Sequence, residues 1–172
     1  MAEYTAATRT TRPRARSPLG PCGVIPRGRV CQSARVIASR TPIELVRPST
    51  LASRATYAYA AVAHDVSRLV FTAGACPLDK NGIIVAVGDV SAQTERVMTN
   101  LRIALQEAEA DLTDVVKSTV YVASQRREDL LAAWGVVRRH FGDHDAPSTL
   151  LGVLVLGYQY QLVEVEAVAA LR

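Results

Sequence analysis

Ala146-Pro147-Ser148-Thr149-Leu150-Leu151-Gly152-Val153, a turn over Gly157 to Gln161, and then Leu162-Val163-Glu164-Val165-Glu166-Ala167-Val168-Ala169 form the stretch around which the rest of the chain is organised. Its second half alternates with period two. Val163, Val165, Ala167 and Ala169 therefore share one side of a strand, and Glu164 and Glu166 share the other. The apolar side can pack under helices. The two carboxylates, set between Leu162 and Val168, suit a partly buried polar surface better than open water. On this segment alone, a solvated face of an antiparallel strand is the plain alternative.

Working back from this stretch, a helix is expected over roughly Arg126 to Phe141, with Leu130, Leu131, Trp134, Val137 and Phe141 inward and Gly142 as its stop. Val115 to Val122 reads as a β-branched strand entered through a turn at Asp111 to Asp114. An earlier helix starts at Gly88-Asp89-Val90-Ser91, capped by Ser91 or Asp89. It buries Val97, Met98, Leu101, Ala104, Leu105 and Ala108, and its solvated face includes Glu95, Arg96, Asn100 and Arg102. Ile43 to Arg47 is a short edge strand. Tyr57 to His64 and Leu69 to Gly74, joined by a turn at Asp65 to Arg68, read as a hairpin. Gly74 and Pro77 close its second strand and leave bare backbone where a ligand can approach. Asp79 to Gly82 turns tightly into Ile83 to Val87.

The expected class is therefore α/β, a mixed sheet in β-β-α-β-α-β-β order with both helices on one face. The opposite face, carrying Glu164 and the Tyr57/Tyr59 hairpin, has no element left to cover it. A homo-oligomer that packs these faces together would do so, and would put Glu164 near a subunit boundary.

The 172 residues suffice for one domain with a real core, and no apolar run reaches the length of a membrane span. Net charge of +4 conceals an uneven distribution: residues 1–40 hold eight Arg against Glu3, while 41–172 hold 12 basic and 15 acidic residues, a balance of −3. The basic, Pro-containing extension over 1–40 is expected to be disordered. Four prolines there argue against an amphipathic targeting helix, which leaves a flexible appendage or a start assigned too far upstream. Residues 41–172 form the domain, and their negative balance disfavours nucleic acid as a partner. Cys22, Cys31 and Cys76 have no CxxC spacing, so neither a disulfide framework nor a zinc site is expected, and a reducing, cytoplasmic setting is the simplest.

Five pieces in order carry a resemblance: Leu69 to Gly74 with Pro77, Gly88-Asp89-Val90 with Gln93-Thr94, Asp114 to Val122, His140-Phe141-Gly142, and Val163 to Ala167. Over about 43–172 the chain resembles the Rid/YjgF family of reactive intermediate deaminases, also labelled L-PSP. The resemblance implies a chorismate-mutase-like fold, a homotrimer with three intersubunit clefts, a small-molecule ligand and no cofactor. Typical members hydrolyse 2-imino or enamine acids to the keto acid and ammonia. Glu164 matches the glutamate beside the attacking water, Tyr59 (or, with a one-residue shift, Tyr57) the cleft tyrosine, and Ala73 with Gly74 the strand end lining the cleft.

Two departures stand beside these matches. Deaminating members carry Pro-Ala-Arg-Ser or Pro-Ala-Arg-Thr, whose arginine clamps the substrate carboxylate; here Ser148 stands where that arginine would be, and Trp134 replaces a small polar helix residue. A hydroxyl gives no bidentate, charged grip. The resemblance thus implies an imine, enamine or carbonyl compound that need not be a 2-imino acid, with a non-catalytic small-molecule-binding or partner-binding trimer as the alternative. Arg47, Arg138 and Arg139 are the candidate substitutes for the clamp. Cys76 reads as a small buried apolar residue, and His140 and His144, which straddle Gly142, give no metal site.

Overall fold

The computed structural model describes residues 43–172, so the extension read over 1–40, with Cys22 and Cys31, lies outside the described residues. The chain runs β1 (Ile43–Val46), β2 (Ala60–Ala63), β3 (Arg68–Phe71), α1 (Val90–Glu107), β4 (Val115–Val122), α2 (Arg127–Phe141), β5 (Ser148–Gly152) and β6 (Val163–Leu171), with a short 3-10 turn at Leu112–Asp114. The architecture is mixed α/β, with two helices packed on one side of a four-stranded sheet ordered β3-β6-β4-β5.

Alternation in β6 determines this arrangement. Val163, Val165, Ala167, Ala169 and Leu171 are buried under the helices, and Glu164 and Glu166 lie on the other face. β6 is antiparallel to both β3 and β4, which therefore run the same way and are joined through α1. β4 and β5 pair in parallel across α2, in a register that sets Ser118 beside Ser148 and Thr119 beside Thr149. Both crossovers thus run as the helix-strand order requires.

The expected hairpin does not form. β2 pairs with β1 as a separate two-stranded antiparallel ribbon, and β3 pairs with β6. Both segments are strand-forming, but strand propensity does not specify the partner, and the nine-residue β6 offers β3 a longer apolar neighbour than β2 does. Ile83 to Val87 forms no strand either. An isolated bridge between Leu78 and Ile84 closes the Asp79 turn, together with Asp79 N donating to Ile83 O and Ile83 N donating to Asp79 Oδ1, each at 2.9 Å.

Asp89 caps α1 by accepting from Ala92 N at 2.9 Å, and Gly142 ends α2 at a φ of 61° that favours glycine. Along α1 the stripe Val97, Met98, Leu101 and Leu105 is fully buried, but Ala104 is exposed and Asn100, expected in solvent, is half-buried. α2 is rotated from the expected stripe: Ala133, Val136, Val137 and Phe141 face inward, whereas Leu131 is exposed. An alanine carries little weight in a periodicity reading, so the Ala133 edge of the stripe was not visible.

Leu101 has no exposed surface and sits at the centre of the core cluster. Leu101→Ala should destabilise the fold by about 2–5 kcal/mol through lost transfer energy and a cavity, checked by the denaturant midpoint at unchanged slope.

Candidate functional site

Strand parity puts Glu164 on the face that the helices leave open, and two neighbours fix its carboxylate. Gln161 donates through Nε2 to Oε2 at 2.9 Å, and Cys76 Sγ lies 3.6 Å from the same oxygen. Oε1 points to the bare backbone of Gly74: a Cβ built there would lie 1.8 Å from it. Gly74 is thus required for space rather than for an unusual dihedral. Ala75 holds this segment against β6 through paired backbone bonds with Val165 of 2.8 and 3.2 Å.

Two polar side chains of α1 fasten the surrounding loops. Asn100 Nδ2 donates to the carbonyls of Cys76 and Leu78, at 2.8 and 2.9 Å. Gln93, with no exposed surface, donates to Tyr160 O and accepts from Leu162 N, which satisfies both ends of its amide. Tyr160 holds a left-handed φ of 66°, a conformation that is unfavourable for a non-glycine residue. Gln93 thereby anchors the strained turn that delivers Gln161 to Glu164.

Further along the open face, Tyr121 donates to Glu166 Oε1 at 2.9 Å, and that bond raises its phenol above the ordinary value. Lys117 donates to Thr149 Oγ1 at 2.6 Å and to Ser118 O at 2.9 Å; burial lowers its ammonium and Glu166 opposes that shift. Phe71, Thr72, Lys117, Thr119 and Glu166 line a cavity of about 230 Å³. Burial, followed by the charge of Glu164, pushes the Cys76 thiol up to about 11, so it stays protonated at neutral pH.

The sequence pattern of the family described as Endoribonuclease L-PSP matches residues 49–171. The chain belongs to the Rid/YjgF/L-PSP family. A RutC family protein of Pyrococcus abyssi is 35% identical over 104 residues, 60% of this chain and 80% of its own length. A Rid family protein of unknown function from Yersinia pestis, YyfB, superposes with a TM-score of 0.69 at 28% identity, covering 75% of this chain and 98% of the other. The 3-aminoacrylate deaminase RutC of Acinetobacter baylyi is 33% identical over 60 residues, 35% of this chain and 48% of its own.

The residues singled out on this Rid-family chain fall into two groups. Glu164 and Gly74 come together, with Ala73 exposed beside them. Tyr59, Trp134 and Ser148 lie elsewhere, on the side of α2. Tyr57 packs edge-on against both Tyr59 and Trp134, with centroids at 6.1 and 6.3 Å. Tyr59 donates to Ala52 O and Trp134 to Thr56 Oγ1. Ser148 faces a small cleft shared with Trp134, and its Oγ is 2.6 Å from that of Ser118, on the helix-covered face. Tyr57 and Tyr59 precede β2 instead of lying within it, and Tyr57 packs on Trp134 of α2.

The candidate substitute arginines are engaged or remote. Arg47 pairs with Asp145 at 2.5 Å and donates to Tyr57 O, Arg139 pairs with Glu95, and Arg138 borders the Trp134 cleft. His140 reaches Glu95 and His144 reaches Val115 O, so the two imidazoles diverge. No cluster of three metal-binding side chains occurs among the described residues, and none of their helices is long and apolar enough to cross a membrane.

Sequence reasoning did not single out Gln161 and treated Cys76 as packing. The one available signal was proximity in sequence: Cys76 is two residues from Gly74, and Gln161 is three from Glu164. Gly74→Ala should displace the Glu164 side chain and cost about 1–3 kcal/mol as overpacking. In a Glu164→Ala background the penalty should largely vanish, a coupling that a double-mutant denaturation cycle measures.

Proposed function

We propose that copies of this chain assemble as a homotrimer through the open sheet face, and that Glu164, in the clefts between them, catalyses hydrolysis of a small imine or enamine. The observation that carries the reading is the carboxylate of Glu164, anchored through one oxygen and presented by the other at bare backbone. Imine hydrolysis needs such a group. Water adds to the carbon of the C=N bond while a base takes its proton; the same group returns a proton to nitrogen, the C–N bond breaks, and carbonyl compound and ammonia leave. An enamine first accepts a proton at carbon to become the imine.

Assembly is supported by what the open face exposes. Phe71 is 72% exposed and Leu69 53%, beside Lys117, Tyr121 and Glu166. An aromatic patch next to a polar network resembles the core and rim of a subunit interface. Membership of the family, and the similarity to a 3-aminoacrylate deaminase, supports the imine or enamine class. The negative balance of 41–172 gives no support to a ribonuclease reading.

Ser148 favours a second reading, a trimer that binds a small molecule without turning it over. Its hydroxyl is committed to Ser118 and Ala146 O on the covered face, so position 148 holds no carboxylate clamp beside Glu164. On the catalytic reading, the substrate is a compound that does not depend on that clamp.

With imines that carry no carboxylate, generated in situ by a flavin amine oxidase, ammonia release above the buffer rate is expected, and Glu164→Gln should lower it by about 10²–10⁴-fold. Release equal to buffer and indifferent to Glu164→Gln would leave only the binding reading. Phe71→Glu should convert a particle of three chains into single chains in sedimentation analysis, and a wild-type monomer at micromolar concentration would refute the assembly.

A further inference from the structure

Gln161 and Cys76 make contacts to Glu164 that its placement on β6 does not by itself require. Gln161 is only 4% exposed, and its orientation is fixed from both ends. Its Oε1 accepts from Tyr158 N at 3.1 Å, so Nε2 must face Glu164, where it reaches Oε2 at 2.9 Å, Cys76 Sγ at 3.2 Å and Val163 O at 3.3 Å. The thiol of Cys76 sits between Gly74 O at 3.5 Å and Oε2 at 3.6 Å. Glu164 Oε2 therefore faces two donors, a strong amide and a weaker thiol. Oε1 occupies the space that a side chain at position 74 would fill.

We propose that Gln161, assisted by Cys76, is a positioning residue that occupies Oε2 of Glu164, so that Oε1 is the oxygen that exchanges the proton with water and substrate. This rests on the reading of Glu164 as the acid-base group. A carboxylic acid carries its proton on one oxygen, and a proton on Oε2 would confront the amide N–H already pointing there. Protonation on Oε1 keeps the amide contact intact. The division of labour holds only if both loops stay in place, and Asn100 and Gln93 hold them. A thiol is a neutral donor here because it stays protonated beside the carboxylate, its pKa raised to about 11 by burial and by Glu164.

Both donors hold one orientation of the Glu164 carboxylate, so removing either should lower kcat more than it changes KM. With imines from the amine oxidase as substrate, Gln161→Leu is expected to lower kcat by about tenfold with KM little changed. Cys76→Ala should lower kcat less, and Cys76→Ser, which restores a donor, should bring it back. An unchanged kcat in a Gln161→Leu protein that melts as a folded species would overturn the proposal.

A second measurement does not need activity. Alkylation of Cys76 by iodoacetamide, followed by mass spectrometry of the peptide that contains it, reports thiolate content. Glu164→Gln removes the neighbouring charge while burial remains, so alkylation at pH 8 should accelerate by about a few-fold. An unchanged rate would mean that Cys76 and Glu164 do not face one another, and the anchoring would be wrong. Acceleration in a protein whose wild type releases no ammonia would uphold the anchoring and remove the deaminase reading, so the two failures are distinguishable.

Discussion

The register of β6 between β3 and β4 is the constraint on which everything else depends. Val165 faces Val120 and Glu164 faces Tyr121 in the same ladder, so a slip of one residue would put two carboxylates under the helices and five apolar side chains outside. Burying an unpaired carboxylate costs far more than any single packing contact returns. The same alternation that closes the core therefore fixes where Glu164 emerges. Site and core are two faces of one strand, and neither can be altered independently of the other.

Position on a strand does not by itself orient a carboxylate, because the loops around it must also be held. α1 does this with polar side chains that a helix packed only through apolar contacts would lack. Gln93 fastens the turn that ends in Gln161, and Asn100 fastens the segment that carries Gly74 and Cys76. Each amide satisfies backbone groups that water would otherwise have to serve. The helix that supplies most of the core thereby also sets the geometry around Glu164, with Val97, Met98, Leu101 and Leu105 keeping its axis fixed against the sheet.

Much of this was legible in the chain. The alternation of β6, a cap at Ser91 or Asp89, the stop at Gly142 and the parallel crossovers all follow from local patterns with a mechanical cause, and the structure chooses Asp89 as the cap. What was not legible depends on non-local choices. Nothing in Tyr57 to His64 says whether it pairs with Leu69 to Gly74 or with Ile43 to Val46, and the structure chooses the latter. Asn100 looked solvated because it lies off the apolar stripe, yet the carbonyls it bonds belong to a loop whose path no periodicity reveals. Gln161 precedes its strand, where alternation carries no information.

Ser148 shows how a resemblance in sequence can be right about the family and silent about the face. In the parallel register Ser118 pairs with Ser148 and Thr119 with Thr149, and paired residues in a ladder point the same way. Ser118 is buried, so Ser148 faces the helices; Thr149, bonded to Lys117, faces the side of Glu166 and Glu164. A cation at position 148 would therefore enter the cleft beside Trp134 and Phe141, where the carboxylate of Asp145 is already paired with Arg47. Within one subunit, the β5 residues on the same side as Glu164 are those of Thr149's parity. Beside Glu164 and Glu166 that face carries the ammonium of Lys117, placed by β4, so a positive group on the open side comes from the strand next to β6 and not from the run in which the family's arginine is found.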